Sequence, residues 1–312
     1  MAEPAERSMR ERSNPLYAVV RALRPHQWAK NALVFVPLVL GGLLMEPQAW
    51  VYACLGFIAL SLAASASYVF NDLRDLESDR QHWSKKTRPF ASGDLSSYAG
   101  YGLGAILLAA AFGVSVFIGP EETVMLGAYV LGSLVYTFFC KRVPILDIFV
   151  IAGLFTFRIA LGIMILDVRL SPWLLIFSMF IFLSLSAAKR HTELLRAKPN
   201  GNLPIPGRGY VREDAVLLLA LGVAAMLGAV LLNIMYLLED AFPSTVYSKP
   251  AWLWAIPPII FLFLSRVWLI SHRGELLDDP VAFALKDPVS LTLGGLLIFG
   301  FLSAVFGLNF FS

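Results

Sequence analysis

The chain has 312 residues, 58% of them hydrophobic and only 15% charged, with a mean hydropathy of +0.70. Water-soluble domains carry more charge and less apolar content, so an all-α polytopic membrane protein is expected and a soluble globular enzyme is excluded. A net charge of +3 offers nothing that would hold nucleic acid, and the information lies in where the charge sits.

The first thirty residues carry Arg7, Arg10 and Arg12 but no apolar core, so no cleaved signal peptide is expected. Residues 1–30 read as a cytoplasmic arm with an interfacial segment, and 31–312 as a single membrane domain. Nine apolar stretches approach the ~20 residues that a spanning helix needs. They are Asn31–Met45, Trp50–Phe70, Ser97–Ile118, Thr123–Cys140, Ile145–Leu166, Ser171–Ala188, Ala215–Leu238, Ala251–Ile270 and Val289–Phe311. The first is short and contains Pro37. None alternates as a barrel strand would. Cys54 and Cys140 lie inside apolar runs, without metal-ligand spacing, and read as lipid- or core-facing.

Lysine and arginine set the expected topology. Of the 25, 22 fall in the N-terminal arm, the second-to-third, fourth-to-fifth, sixth-to-seventh and eighth-to-ninth connections. The alternate connections carry Arg169 and Lys249 alone, and Arg158 is left within a span. The N-terminus and every long polar loop are therefore expected in the cytoplasm.

The second apolar run leads directly into N-D-L-R-D-L-E-S-D, Asn71 to Asp79. If the helix continues, Asn71, Asp75 and Asp79 form one i, i+4, i+8 stripe, with Asp72 within an arc of about 100°. Three carboxylates and an amide converging at a membrane edge would repel one another unless a hard, oxygen-preferring cation relieves them. Mg²⁺ shared with a phosphorylated substrate suits that task. The bland alternative, a solvated helix end, would mix its charges. Glu77, Arg74 and Arg80 are expected to point elsewhere.

Four further features stand out. Arg24 to Asn31 (R-P-H-Q-W-A-K-N) reads either as an interfacial anchor with Trp28 in the aromatic belt, or as a segment whose Lys30 and Asn31 face a pocket. Lys85 to Gly93 (K-K-T-R-P-F-A-S-G) places Lys85 and Arg88 where phosphate oxygens left uncovered by a metal would lie. Lys189, Arg190 and Glu193 form helical i, i+3 and i, i+4 pairs, either an interfacial salt bridge or a substrate contact, with His191 on the other side. Arg158 is costly in hydrocarbon and should face a cavity or a partner, with Asp147 as one candidate. Asp278, Asp279, Lys286 and Asp287 read equally as a closing segment or a solvated loop.

The Asp motif, the R-P-x-x-x-G of Arg88–Gly93 and the nine apolar stretches resemble the UbiA superfamily of intramembrane prenyltransferases. That resemblance implies nine helices around a central cavity and Mg²⁺ on Asn71, Asp72, Asp75 and Asp79, with the three aspartates catalytic. Where aromatic prenyltransferases carry a second Asp-rich motif, this chain reads K-R-H-T-E. With R-P-H-Q-W-A-K-N and Leu285–Asp287 it is similar to the decaprenyl-phosphate phosphoribosyltransferase branch. The branch implies transfer of 5-phosphoribose from phosphoribosyl pyrophosphate to a polyprenyl phosphate, at the inner face of a bacterial cytoplasmic membrane, for cell-wall arabinose donors. Lys30, Asn31, Lys85, Arg88, Arg158, Lys189, Arg190 and Glu193 would then bind substrate. A prenyltransferase acting on an aromatic acceptor is the alternative, a transporter a third, and a homo-oligomer is left open.

Overall fold

A computed structural model of the chain describes residues 15–81, 85–197, 208–276 and 280–307. Asp278, Asp279, most of the Arg196–Gly209 loop, the start of the N-terminal arm and the last residues of the ninth stretch lie outside them. Every secondary-structure element among the described residues is a helix. The chain falls into two compact units, Met1–Thr137 with Leu161–Val168, and Phe138–Ala160 with Arg169–Ser312.

The first unit opens with α1 (Pro15–Leu23), a 3₁₀ run (Pro25–Phe35) and the short α2 (Val36–Leu40). A continuous helix over Asn31–Met45 is therefore not what forms. Pro25 starts the 3₁₀ run, Pro37 lies in the first turn of α2, and Gly42 closes the segment at φ 76°. α3 (Pro47–Arg74) is the long central helix. It is followed by α4 (Leu76–Gln81), α5 (Pro89–Ser92), α6 (Ser97–Ile118) and α7 (Pro120–Phe138). α6 packs on α3 through small residues: Gly100 meets Leu73 and Phe90, and Gly104 meets the ring of Phe70. Gly100, Gly104, Leu107, Ala111 and Ser115 lie on its buried face, the small-residue seam that membrane helices use for close approach. Around this seam Ala22, Ala66, Val69, Leu73, Phe90 and Leu107 form an apolar core.

The second unit contains most of α8 (Leu146–Ile165), then α9 (Pro172–Arg196), α10 (Asp214–Tyr236), α11 (Ile256–His272), α12 (Pro280–Ala284) and α13 (Pro288–Phe306). α9, α10 and α11 lock through polar groups buried between them. Trp268 Nε1 donates to Ser184 Oγ at 3.0 Å, and Ser184 Oγ donates to the Gly222 carbonyl at 2.8 Å. A Cβ on Gly222 would run into the Trp268 ring and stand 2.9 Å from Ala187 Cβ. Gly222→Ala should therefore destabilise the protein by about 1–3 kcal/mol, because the tethered indole is held in place. Gly102→Ala, with nothing within 4 Å of its new Cβ, should stabilise by about 0.5–1 kcal/mol through helix propensity alone. Thermal unfolding in one detergent compares the two, and equal shifts would refute the packing argument.

Among the described residues seven helices are long and apolar enough to cross a membrane. The predicted first and fourth stretches are not among them: one is mostly 3₁₀, and the other, α7, carries Glu121 and Glu122 in its first turn. Cys54 is exposed and Cys140 buried.

Candidate functional site

The Asp motif does not form one unbroken helix. α3 ends at Arg74, Asp75 caps it at φ −88°, ψ 10°, and α4 restarts at Leu76. The Asp75 amide still reaches the Asn71 carbonyl at 2.9 Å and the Asp79 amide the Asp75 carbonyl at 2.8 Å, so helical spacing survives the break. Seven residues apart is two turns, and it is Asp72 and Asp79 that come to the same buried face, each 2% exposed. Asn71 and Asp75 are half-buried, while Arg74, Glu77 and Arg80 are exposed.

Three cations meet the two buried carboxylates. Arg24 Nη2 donates to both oxygens of Asp72, at 2.6 and 2.7 Å. Arg88 Nη1 donates to Asp72 Oδ1 at 3.0 Å and to Asp79 Oδ2 at 2.6 Å, so a single nitrogen bridges the two aspartates. Lys85 Nζ lies 3.9 Å from the other oxygen of Asp79. Carboxylates near the C-terminal end of α3 are unfavourable against the helix dipole, and these cations offset that penalty.

Local sequence explains how the cations arrive. In R-P-x-x-x-G, Pro89 forces Arg88 into extended backbone (φ −64°, ψ 147°) and starts α5, and Gly93 ends it at φ 86°. Arg88 is thereby held at a helix start beside the aspartates. Arg24 sits in the left-handed region at φ 52°, ψ 57°, immediately before Pro25, where a non-glycine residue is strained. Its guanidinium also covers the Tyr68 ring at 5.3 Å. Lys30 and Asn31 are the pocket candidates that the sequence of this stretch offers; Arg24 is not among them, and its signal is the Arg-Pro pair that opens R-P-H-Q-W.

Other residues of that stretch are anchored to α3. Trp28 Nε1 donates to Ser65 Oγ at 3.0 Å, and Asn31 Nδ2 to Ser61 Oγ at 3.1 Å, with Asn31 buried. Lys30 is half-buried.

The second unit has its own charged cluster. Asp147 is 0% exposed and accepts from Arg190 Nε at 3.1 Å and from the Tyr210 hydroxyl, with Arg208 Nη1 at 3.8 Å. Arg190, 2% exposed, also pairs with Glu193 and lies over the Tyr210 ring at 5.9 Å. Burial, followed by its hydrogen bond to Asp147, pushes the Tyr210 hydroxyl above the ordinary tyrosine range, so it keeps its proton and donates. Its oxygen accepts the Ile145 amide at 2.7 Å, holding that β-branched residue at φ 68°. Lys189 and Glu193 are half-buried. His191 is buried on Ser271 at 3.1 Å, a packing role.

Arg158 is buried in α8, donating to the Leu154 carbonyl and lying 5.2 Å from the Phe155 ring, which stacks on Phe182. Asp147, the candidate partner named for Arg158, instead accepts from Arg190 and Tyr210. Asp287 pairs twice with Arg266, at 3.1 and 2.8 Å, and accepts the Ser290 amide at 2.8 Å as the cap of α13. The Arg266 guanidinium holds the Asp287 carboxyl below the usual carboxylate range.

Among the described residues no group of three or more His, Cys, Asp or Glu could hold a metal alone. Mg²⁺, however, commonly takes one or two carboxylates and completes its octahedron with water and substrate phosphates. Asp72 and Asp79, already gathered on one cationic atom and nearly dry, fit that donor set.

The sequence pattern of the UbiA prenyltransferase family matches residues 34–286. The chain is 39% identical over 295 residues to the protein y4nM of Sinorhizobium fredii, covering 95% of this chain but 57% of that protein's length. It is 33% identical over 283 residues to the decaprenyl-phosphate phosphoribosyltransferase of Mycobacterium tuberculosis, covering 89% and 90% of the two chains. A UbiA homolog from Archaeoglobus fulgidus, solved bound to DMAPP and Mg²⁺, has the same fold at a TM-score of 0.69 and 18% identity, covering 91% of this chain and 98% of that one.

Proposed function

The chain belongs to the UbiA prenyltransferase family and is thereby an integral membrane transferase, and on that premise we propose that it moves 5-phosphoribose from phosphoribosyl pyrophosphate to a polyprenyl phosphate. The bond from the anomeric carbon to pyrophosphate breaks, and a bond from that carbon to an acceptor phosphate oxygen forms. We place the N-terminus and the site on the cytoplasmic side of a bacterial inner membrane, with residues 1–30 as an interfacial arm, 31–312 as one catalytic domain and nine membrane helices.

Asp72 and Asp79, with Asn71 and Asp75 at the same helix break, would hold Mg²⁺, which when bound neutralises charge on the departing pyrophosphate. Arg24, Arg88 and Lys85 neutralise those carboxylates and present donors to phosphate oxygens. Lys30, Arg158 and Lys189 supply further positive charge for the ribose phosphate and the lipid phosphate. Arg190, held by Asp147 and Glu193, fixes the helix turn that carries Lys189. An acceptor phosphate is already anionic near neutral pH, so no general base is required. Positioning and charge neutralisation supply the rate.

The observation that carries this reading is the contrast between two helix ends. One gathers Asp72 and Asp79 among arginines, and the other carries Lys189 and Glu193 beside an Arg190 that is itself held on Asp147 and Glu193. Two substrates that each bring phosphate call for cations more than for a second carboxylate set. Membranes containing the chain, given labelled phosphoribosyl pyrophosphate and decaprenyl phosphate, should form a labelled lipid, and EDTA should abolish it. Prenyl transfer from a polyprenyl pyrophosphate to an aromatic acceptor, with no ribosylated lipid, would overturn the reading.

A further inference from the structure

We propose that Arg88 and a divalent cation compete for Asp72 and Asp79, so that the cation binds tightly only together with a diphosphate that takes the guanidinium in exchange. The inference rests on the reading of those aspartates as metal ligands and adds an order to it.

The geometry forces the competition. Arg88 Nη1 stands 3.0 Å from Asp72 Oδ1 and 2.6 Å from Asp79 Oδ2, between the two oxygens that a shared ion would use. A Mg²⁺ ligand oxygen lies at roughly 2.1 Å, so an ion joining that pair would stand where this nitrogen stands. With both carboxylates 2% exposed, water screens little of the repulsion between the two cations. Arg24 does not remove the conflict, because its Nη2 already covers both oxygens of Asp72.

A displaced guanidinium needs an anion. Its planar fork matches two phosphate oxygens, which a diphosphate supplies beside the metal it brings. The Arg88 backbone is pinned by Pro89 and α5, while its side chain is 24% exposed and has room to re-aim. Metal and diphosphate should therefore raise each other's affinity by the same factor.

Purified protein in nanodiscs, titrated with Mn²⁺ by electron paramagnetic resonance, tests this. Inorganic pyrophosphate is then added, with correction for the complex the two form in solution. For the unmodified chain, pyrophosphate should tighten Mn²⁺ binding by roughly 5–150-fold, the usual range of such couplings. Arg88→Gln should bind Mn²⁺ alone at least about fivefold more tightly and lose the share of the coupling that direct metal–phosphate bonds do not supply. A misfolded protein cannot show that gain. Arg88→Lys keeps the charge but not the reach across two oxygens, so it should also gain, by less. Unchanged or weaker Mn²⁺ binding in these variants would overturn the exchange. Asp72→Asn and Asp79→Asn separate the two ideas. If both lose Mn²⁺ while Arg88→Gln gains nothing, only the exchange fails. If both retain it, the metal-site reading fails as well.

Discussion

Asp72→Asn should lower phosphoribosyl transfer by roughly 10²- to 10³-fold and raise the Mg²⁺ concentration needed for half-maximal rate. The substitution keeps size and burial but removes the charge that gathers Arg24 and Arg88 at the end of α3. It leaves Asp79 as the one carboxylate on Arg88, so both the proposed metal site and its surrounding cations lose their centre. Because Asp72 also holds two arginines in place, activity alone would not separate chemistry from folding. The shift in Mg²⁺ requirement, measured on protein that still elutes as a single species, does separate them. Glu77→Gln, on the exposed side of α4, should leave the rate within about twofold. Equal rates for Asp72→Asn and the unmodified chain would remove the acidic pair from the mechanism.

The second large effect is on stability. Arg190→Met should destabilise the protein by about 3–5 kcal/mol, because it leaves Asp147, 0% exposed, without its main counter-charge. Arg208, at 3.8 Å, and the Tyr210 hydroxyl would compensate only in part. Removing both charges together, Arg190→Met with Asp147→Leu, should recover part of the loss, since an apolar pair of similar volume avoids burying an unpaired ion although the Tyr210 hydroxyl loses its acceptor. Thermal unfolding of the two single variants and the double variant closes the cycle. If Arg190 served chiefly to bind phosphate, the single variant would lose substrate affinity and keep its melting temperature, and the double would rescue nothing.

These effects differ in how far they were readable beforehand. The seven-residue spacing of Asp72 and Asp79 puts them on one face of any helical turn, and R-P-x-x-x-G already dictates an extended arginine, a short helix and a left-handed glycine. Apolar length announces most of the spanning helices, and the Arg190–Glu193 spacing announces a local ion pair. Each of these follows from chain geometry over a few turns. What each face meets does not. Arg24 reaches Asp72 across 48 residues, and Arg190 and Tyr210 reach Asp147 across 43 and 63. Helical period fixes the direction in which a side chain leaves its own axis, whereas the partner waiting there depends on how separate helices pack. The 3₁₀ course of Pro25–Phe35 and the positive φ of Arg24 and Ile145 belong to the same class. Local propensity opposes such backbone states, and tertiary hydrogen bonds and ion pairs hold them.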